Sequence, residues 1–386
     1  MTLHRFAFPT TIHFGAGARK LVAEHLSAAN LERPLLVTDR GIAPLPLLAQ
    51  FVAELRPLEV GVYSDVGGNP VKKQVVDGVA AFRRHRADCI VGLGGGAALD
   101  VAKAIALMAV HEGDVLEYAW DHPQVRPIAR ELPHFVAVPT TAGTGSEVGR
   151  SSVISDDRTH VKKIIFSPRL LAKAVFADPE LTLDLPPAIT AATGLDALTH
   201  NVESYLSPAY HPLCDGIALE GTRLAANALS TAVREPHNLR ARSDMLMASM
   251  MGAIAFQKDL GAVHSCAHAL STVADLHHGL ANGIMIDHVM RFNRPAATAK
   301  MAELAHVVGV AGGGAEASAA AFVDWLTALK ADLAIPAKLS AYRGSRAVTR
   351  ADVPALVEVA IQDTCHQTNP RPCTREDFER LFVEAM

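Results

Sequence analysis

The sequence predicts an α/β half over residues 1–184 joined to an all-helical half over residues 185–386. Three observations carry this. Short β-branched runs alternate with amphipathic stretches in the first half, the pattern of a parallel sheet with crossover helices. After Asp178-Pro179 and Leu185-Pro-Pro187 strand signals stop, and alanine, leucine and methionine dominate. A chain of 386 residues is also long for one hydrophobic core, so two domains are the default.

Taken in order, Pro34-Leu-Leu-Val-Thr38 reads as a strand ending at Asp39, and Leu58–Tyr63 as a second before the turn Val66-Gly-Gly-Asn-Pro70. Val71–His85 has helical periodicity. Asp88-Cys-Ile-Val-Gly92 is a third strand, Ala98–His111 a helix, and His134-Phe-Val-Ala-Val138 a fourth strand opening into Pro139-Thr-Thr-Ala-Gly-Thr-Gly-Ser146. Val153–Asp156 and Ala174–Ala177 complete the strands. Ile90–Val110 is long and apolar enough to suggest a membrane span. Asp100, Lys103 and the glycines inside it make it a strand, a turn and a helix instead. Helices are expected over 188–205, 212–233, 241–257, 260–274, 281–290, 297–309, 315–332, 351–362 and 375–385. The last starts at Thr374 with Asp377 three residues on, a variant of the capping box. Met245, Met247, Met250 and Met251 read as core filler.

A net charge of -4 offers no electrostatic footing for nucleic acid or an anionic membrane. The 5 cysteines are odd in number and contain no CxxC, which argues against a disulfide framework and for a reducing cytoplasm. The first residues lack the apolar core of a signal peptide.

Two stretches suit phosphates. Gly92-Leu-Gly-Gly-Gly96 follows a buried strand and leads into a helix, whose free N–H groups and positive dipole end favour an anion. It departs from the usual dinucleotide fingerprint, because the strand-end acid, Asp39, precedes the glycines. An acid so placed can take both hydroxyls of an adenosine ribose and repel a 2′-phosphate, favouring NAD over NADP; a turn-capping role is the alternative. The loop Thr140–Ser146 is the second anion-friendly stretch.

The metal-ligating candidates lie in the helical half. Asp196 and His200 stand at i and i+4, one turn apart on one helix face. His264 and His268 repeat that spacing, and His277-His278-Gly279 adds more nitrogen. Asp/His₃ sets suit Fe²⁺, Zn²⁺ or Mn²⁺. The residues alone leave open which of these candidates bind, and any single one is also explained as an ordinary helix histidine.

The chain resembles the iron-containing (group III) alcohol dehydrogenases nearly end to end. The marks are Gly94-Gly-Gly-Ala-Ala-Leu-Asp100, Pro139-Thr-Thr-Ala-Gly-Thr-Gly-Ser-Glu-Val148, Asp178-Pro-Glu-Leu-Thr182, Thr193-Gly-Leu-Asp-Ala-Leu-Thr-His200, Val263-His-Ser-Cys-Ala-His268 and His278-Gly279. The resemblance implies an N-terminal α/β NAD-binding domain and a C-terminal helical metal-binding domain, with the site in the cleft between them. It implies that Asp196, His200, His264 and His278 hold one divalent metal, iron ahead of zinc, with His268 beside the nicotinamide as a catalytic proton carrier. It also implies that Asp39 binds the ribose, Gly95 and Gly96 the pyrophosphate, Thr140 and Thr141 the cofactor, Lys162 the nicotinamide ribose and Asn69 the adenine side. Two departures stand out. Ala97-Ala98 replaces the family's Ser-Pro, removing one hydroxyl from the phosphate loop, and the adenine-side turn reads Gly68-Asn-Pro-Val71.

The expected activity is NAD-linked oxidation of a short-chain primary alcohol, or reduction of its aldehyde, by a cytoplasmic homodimer. Leu35-Leu-Val-Thr-Asp-Arg-Gly41, Ala255-Phe-Gln-Lys-Asp-Leu-Gly261, Leu276-His-His-Gly279 and Cys365-His-Gln-Thr-Asn-Pro370 look most like 4-hydroxybutyrate dehydrogenase-type members. An ω-hydroxy acid would need a cationic contact, for which Arg150 is a candidate, with pairing to a nearby acid as its alternative. Glycerol dehydrogenase-like polyol oxidation and dehydroquinate synthase-like lyase chemistry use the same architecture. A nucleotide-binding scaffold without activity is disfavoured because all four ligand positions are filled.

Overall fold

Apolar runs of four to six residues become the strands of the first unit: β1 (Thr11–Phe14), β2 (Pro34–Asp39), β3 (Gly61–Val66), β4 (Cys89–Gly94), β5 (His134–Pro139), β6 (Ser151–Ser155), β7 (Lys162–Phe166) and β8 (Ala174–Ala177). The computed structural model describes residues 8, 10–159, 161–342 and 346–386. Six strands pair in parallel in the order β1-β8-β5-β4-β2-β3, while β6 and β7 form a separate antiparallel pair. Every residue of β4 is buried and all but one in each of β2 and β5, as expected of strands covered on both faces. Leu36, Val91, Val136 and Phe176 from the sheet meet Leu26, Phe51 and Leu55 from beside it in one core. The crossover helices are α1 (Val22–Ala28), α2 (Pro46–Glu54), α3 (Lys72–His85) and α4 (Gly96–Val110).

From β2 the chain moves outward to β3, then returns to the other side of β2 as β4. The order reverses there, and in open α/β sheets ligands enter beside the carboxyl ends of strands at such a reversal. Asp39 ends β2, and Gly94 ends β4 in register with Pro139 of β5.

The helical unit contains α5 (Pro187–Leu206), α6 (Pro212–Arg234), α7 (Leu239–Ala255), α8 (Ala262–Ala274), α9 (His278–Val307), α10 (Ala315–Asp332), α11 (Val353–Gln362) and α12 (Arg375–Glu384). The chain divides into two compact units, one of Ala7–Thr141 with Gly145–Leu183, the other of Asp184–Met386 with Ala142–Thr144. The tip of the threonine/glycine loop thus groups with the helices. Residues Thr190–Leu206 of α5 are buried on all sides. Gly279, near the start of α9, allows this closeness: a Cβ there would lie 2.4 Å from the Ala192 carbonyl oxygen.

The expected helices 281–290 and 297–309 lie within α9, which a kink divides where the break between them was expected: Pro295 removes one backbone donor, and Ala297, with φ of -132° and ψ of 19°, leaves the helical region. The second strand lies at 61–66, later than expected, because Leu58 and Val60 pack into the core before the strand begins. β1 and β7 had no counterpart in the expected strands. Among the described residues no helix is long and apolar enough to cross a membrane.

Candidate metal centre and nucleotide loops

Three helices deliver the metal candidates. Asp196 and His200 lie one turn apart on α5, His264 sits in the first turn of α8, and His278 is the first residue of α9. Their reactive atoms converge on one carboxylate oxygen. Asp196 Oδ1 lies 3.9 Å from His200 Nε2, 3.7 Å from His264 Nε2 and 3.4 Å from His278 Nε2. Four ligands at about 2.1 Å from an ion at the centre of a tetrahedron stand about 3.4 Å apart; Asp196, His200 and His264 lie mutually close enough to share a divalent ion, with His278 beside the carboxylate. Asp196, His200 and His264 are buried, whereas the His278 side chain keeps 23% of its exposure.

The electrostatics agree with that fit. Burial alone would raise the Asp196 carboxyl, but the surrounding imidazoles hold it well below the usual carboxylate range. Burial pushes His200 down to about 4, against the pull of Asp196, which keeps its ring neutral and able to ligate. His264 is buried too, yet the bonded carboxylates of Asp196 and Glu203 raise it to about 9.

A second set of side chains orients the first. Glu203, also on α5, accepts from His264 Nδ1 at 2.6 Å and from the backbone N–H groups of Val263 at 2.7 Å and His264 at 3.3 Å. This fixes the His264 ring with Nε2 toward Asp196 and satisfies free donors at the start of α8. His268 stands apart from the carboxylate. Its Nδ1 is 2.7 Å from Asp363, and its ring stacks on His278 with centroids 5.2 Å apart. Asp363 also accepts from Ser265 Oγ at 2.8 Å and the Cys365 N–H at 2.9 Å. His268, Asp363 and Cys365 lie close enough together to suggest a second metal set. Both Asp363 oxygens are already committed, so we read that trio as a hydrogen-bonded support for His268. His277 caps α9, its Nδ1 accepting from the Leu280 N–H at 3.4 Å.

The nucleotide loops gather at the ends of β2, β4 and β5. Thr140 N–H donates to the Gly94 carbonyl at 3.1 Å, and a Cβ on Gly95 would lie 3.1 Å from Thr141 Oγ1. Gly94 has φ +152°, and a Cβ there would meet Ala98 at 2.6 Å and Asp39 Oδ2 at 3.0 Å. Only glycine turns this corner without strain. Gly95 then caps α4, leaving Gly96 and its neighbours at a free helix N-terminus. Asp39 Oδ1 accepts from the Gly41 and Ile42 N–H groups at 2.8 and 3.0 Å, so it does cap its own turn, while Oδ2 faces the glycines.

Beneath the loop lies a polar network that sequence reasoning left unassigned. Fully buried Lys103 donates to Ser146 O at 2.6 Å, Ser146 Oγ at 2.8 Å and Ser151 O at 2.8 Å. Asp100 accepts from Ser146 Oγ at 2.6 Å and the Val153 N–H at 3.1 Å, tying α4 to the loop and to β6. Burial lowers the Lys103 ammonium and raises the Asp100 carboxyl. Lys162 opens β7, and its charge helps to lower Asp100. Asn69 is half-buried in the turn after β3, which β6 holds through the Ser155 N–H to the Pro70 carbonyl at 2.8 Å. The Arg150 guanidinium lies over the Phe166 ring, 5.6 Å from its centroid, and among the described residues it has no acidic partner.

Comparison with known proteins decides the family. Residues 9–179 match the family model described as iron-containing alcohol dehydrogenase, and residues 190–386 match the C-terminal model of the same family. The chain belongs to the iron-containing alcohol dehydrogenase family. It is 36% identical to 4-hydroxybutyrate dehydrogenase of Cupriavidus necator, over 98% of each chain. The crystal structure of a 1,3-propanediol oxidoreductase covers 100% of both chains with a TM-score of 0.93 and 36% identity. Sulfoacetaldehyde reductase from Bifidobacterium kashiwanohense, solved with NAD+, covers 100% of this chain and 99% of its own with a TM-score of 0.87 and 27% identity. This iron-type dehydrogenase is therefore an NAD-dependent oxidoreductase of alcohols that works with a divalent metal.

Proposed function

We propose that the enzyme interconverts a short-chain primary alcohol and its aldehyde, with an ω-hydroxy acid such as 4-hydroxybutyrate as the preferred substrate. The observation that carries the site is the approach of three imidazole Nε2 atoms to Asp196 Oδ1 in a buried pocket. Asp196, His200, His264 and His278 hold the metal in this reading, iron ahead of zinc. When bound, the ion supplies a Lewis acid for the alcohol oxygen, and NAD accepts or returns the hydride. The chain supplies position and charge. Glu203 keeps the His264 lone pair aimed inward, and the ionised Asp196 offsets the ion's charge. His268, held through Nδ1 by Asp363 and part-exposed, presents Nε2 to exchange the substrate proton with solvent.

On the nucleotide side, Asp39 Oδ2 takes the adenosine ribose and the N–H groups at Gly95 and Gly96 take the pyrophosphate. Thr140, Thr141, Lys162 and Asn69 line the remainder. The missing hydroxyl at Ala97 leaves the phosphates to these backbone donors. Likeness to the 4-hydroxybutyrate dehydrogenase supports the acid substrate. Arg150, with no acidic partner among the described residues, supplies the cation. The five cysteines are free thiols, which supports a cytoplasmic location, and we assign a homodimer as the working form.

Asp196→Ala or His264→Ala abolishes both bound metal and turnover in this reading; full activity with normal metal content would refute the site. Succinic semialdehyde outperforms butyraldehyde in kcat/KM, and equal values would remove the anion contact.

A further inference from the structure

Asn282 lies four residues after His278 on α9, so its side chain shares the face that brings His278 to the ligand cluster. It is fully buried. Its Nδ2 donates to Asp196 Oδ1 at 2.7 Å and lies 3.4 Å from His264 Nε2 and 3.2 Å from His278 Nε2. One carboxamide thus touches three of the four metal candidates. Its own Oδ1 is buried and finds no partner among the described residues. A buried amide with one end unsatisfied is destabilising, a penalty that a leucine of similar size would avoid. An ordinary core position has no reason to bear that cost.

We propose that Asn282 is a positioning residue of the metal centre. Its N–H bond holds the Asp196 carboxylate so that Oδ1 faces all three imidazoles before an ion arrives. Apart from this amide, the polar groups around Asp196 Oδ1 among the described residues are the imidazoles of His200, His264 and His278, at 3.4–3.9 Å. The carboxamide stands between the His264 and His278 rings, bonded to the oxygen they share. Carboxylates that bind metals depend on such outer partners, whose loss commonly weakens binding 10–100-fold. The proposal rests on the ligand assignment above.

The test compares wild type, Asn282→Leu and Asn282→Ala, all stripped of metal. Co²⁺ is titrated into each while its visible absorption is followed, Kd is confirmed by chelator competition, and the apo Tm is recorded. Asn282→Leu is expected to keep or raise the apo Tm and to bind Co²⁺ about 10–100-fold more weakly, with altered band positions reflecting a displaced Asp196. Asn282→Ala is expected to weaken Co²⁺ similarly with a slightly lower apo Tm, and it decides the matter should the leucine variant not fold. Wild-type Kd and spectrum in a folded variant would overturn the role of Asn282 while leaving the ligand assignment intact. Equal Co²⁺ binding by Asp196→Ala and wild type would overturn both.

Discussion

Glu203→Gln is the sharpest probe of how the fold prepares the ligand set. The side chain is 1% exposed and its two oxygens serve three donors: Val263 N–H, His264 N–H and His264 Nδ1. Glutamine keeps the volume but offers one accepting oxygen. If that oxygen stays with Val263, the new NH₂ faces His264 Nδ1, and two donors oppose each other. The loss is two hydrogen bonds to a charged acceptor, of which the 2.6 Å bond from His264 Nδ1 dominates at about 1.5–3 kcal/mol, plus about 1–3 kcal/mol for the unmet donor. Relief from burying a carboxylate returns part of this, leaving roughly 3 kcal/mol. For a unit of this size that corresponds to a fall in apo Tm of about 6–12 °C. The His264 ring also loses its anchor, so metal affinity should fall about 10–100-fold. Thermal melts of the stripped protein and chelator competition with Zn²⁺ measure the two effects separately. An apo Tm within about 2 °C of wild type, with unchanged Kd, would refute the claim that Glu203 braces the centre.

Glu147 gives a pH-dependent counterpart. Burial raises its carboxyl from 4.5 to about 7, only partly offset by its own backbone N–H and by Lys103, and its Oε1 lacks a partner among the described residues. The folded state holds this proton more tightly than the unfolded one. The penalty is therefore absent below pH 4.5, grows as pH rises to about 7 and is complete above it, at roughly 3 kcal/mol. Glu147→Gln should match wild type in denaturant melts at pH 4.5 and exceed it at pH 8; equal midpoints at pH 8 would exclude a charged, buried Glu147. Asp39→Ser keeps a turn-capping oxygen but removes the negative Oδ2, so the ratio of kcat/KM for NAD over NADP should fall at least about tenfold, as steady-state kinetics will show. An unchanged ratio would return Asp39 to a purely local role.

Much of the site was legible because its chemistry sits at helical spacing. Asp196 with His200 announces one face of a buried helix, and the glycines of 94–96 after a buried strand announce a helix start. The supporting residues obey the same spacing. Asn282 is at i+4 from His278, and Glu203 at i+7 from Asp196. They escaped notice because an amide is not a usual ligand type and because Glu203 acts on a helix remote in sequence. Lys103 and Asp100 were visible only as interruptions in an apolar run; their role depends on Ser146 and Ser151 folding over them. Pairing hid the missed strands. β1 is four residues at a sheet edge, and β7 pairs antiparallel with β6 outside the main sheet, so neither shows the long apolar run that marked β4 or β5.

The uneven burial of the proposed ligands bears on the side from which a metal would reach them. Asp196, His200 and His264 belong to helices that the core encloses, while His278 and the stacked His268 keep about a fifth of their side-chain surface in contact with solvent. An ion entering from solvent would reach this pair of rings before the carboxylate. The solvent-facing His268–His278 pair would then be the point at which access to the buried Asp196, His200 and His264 is controlled.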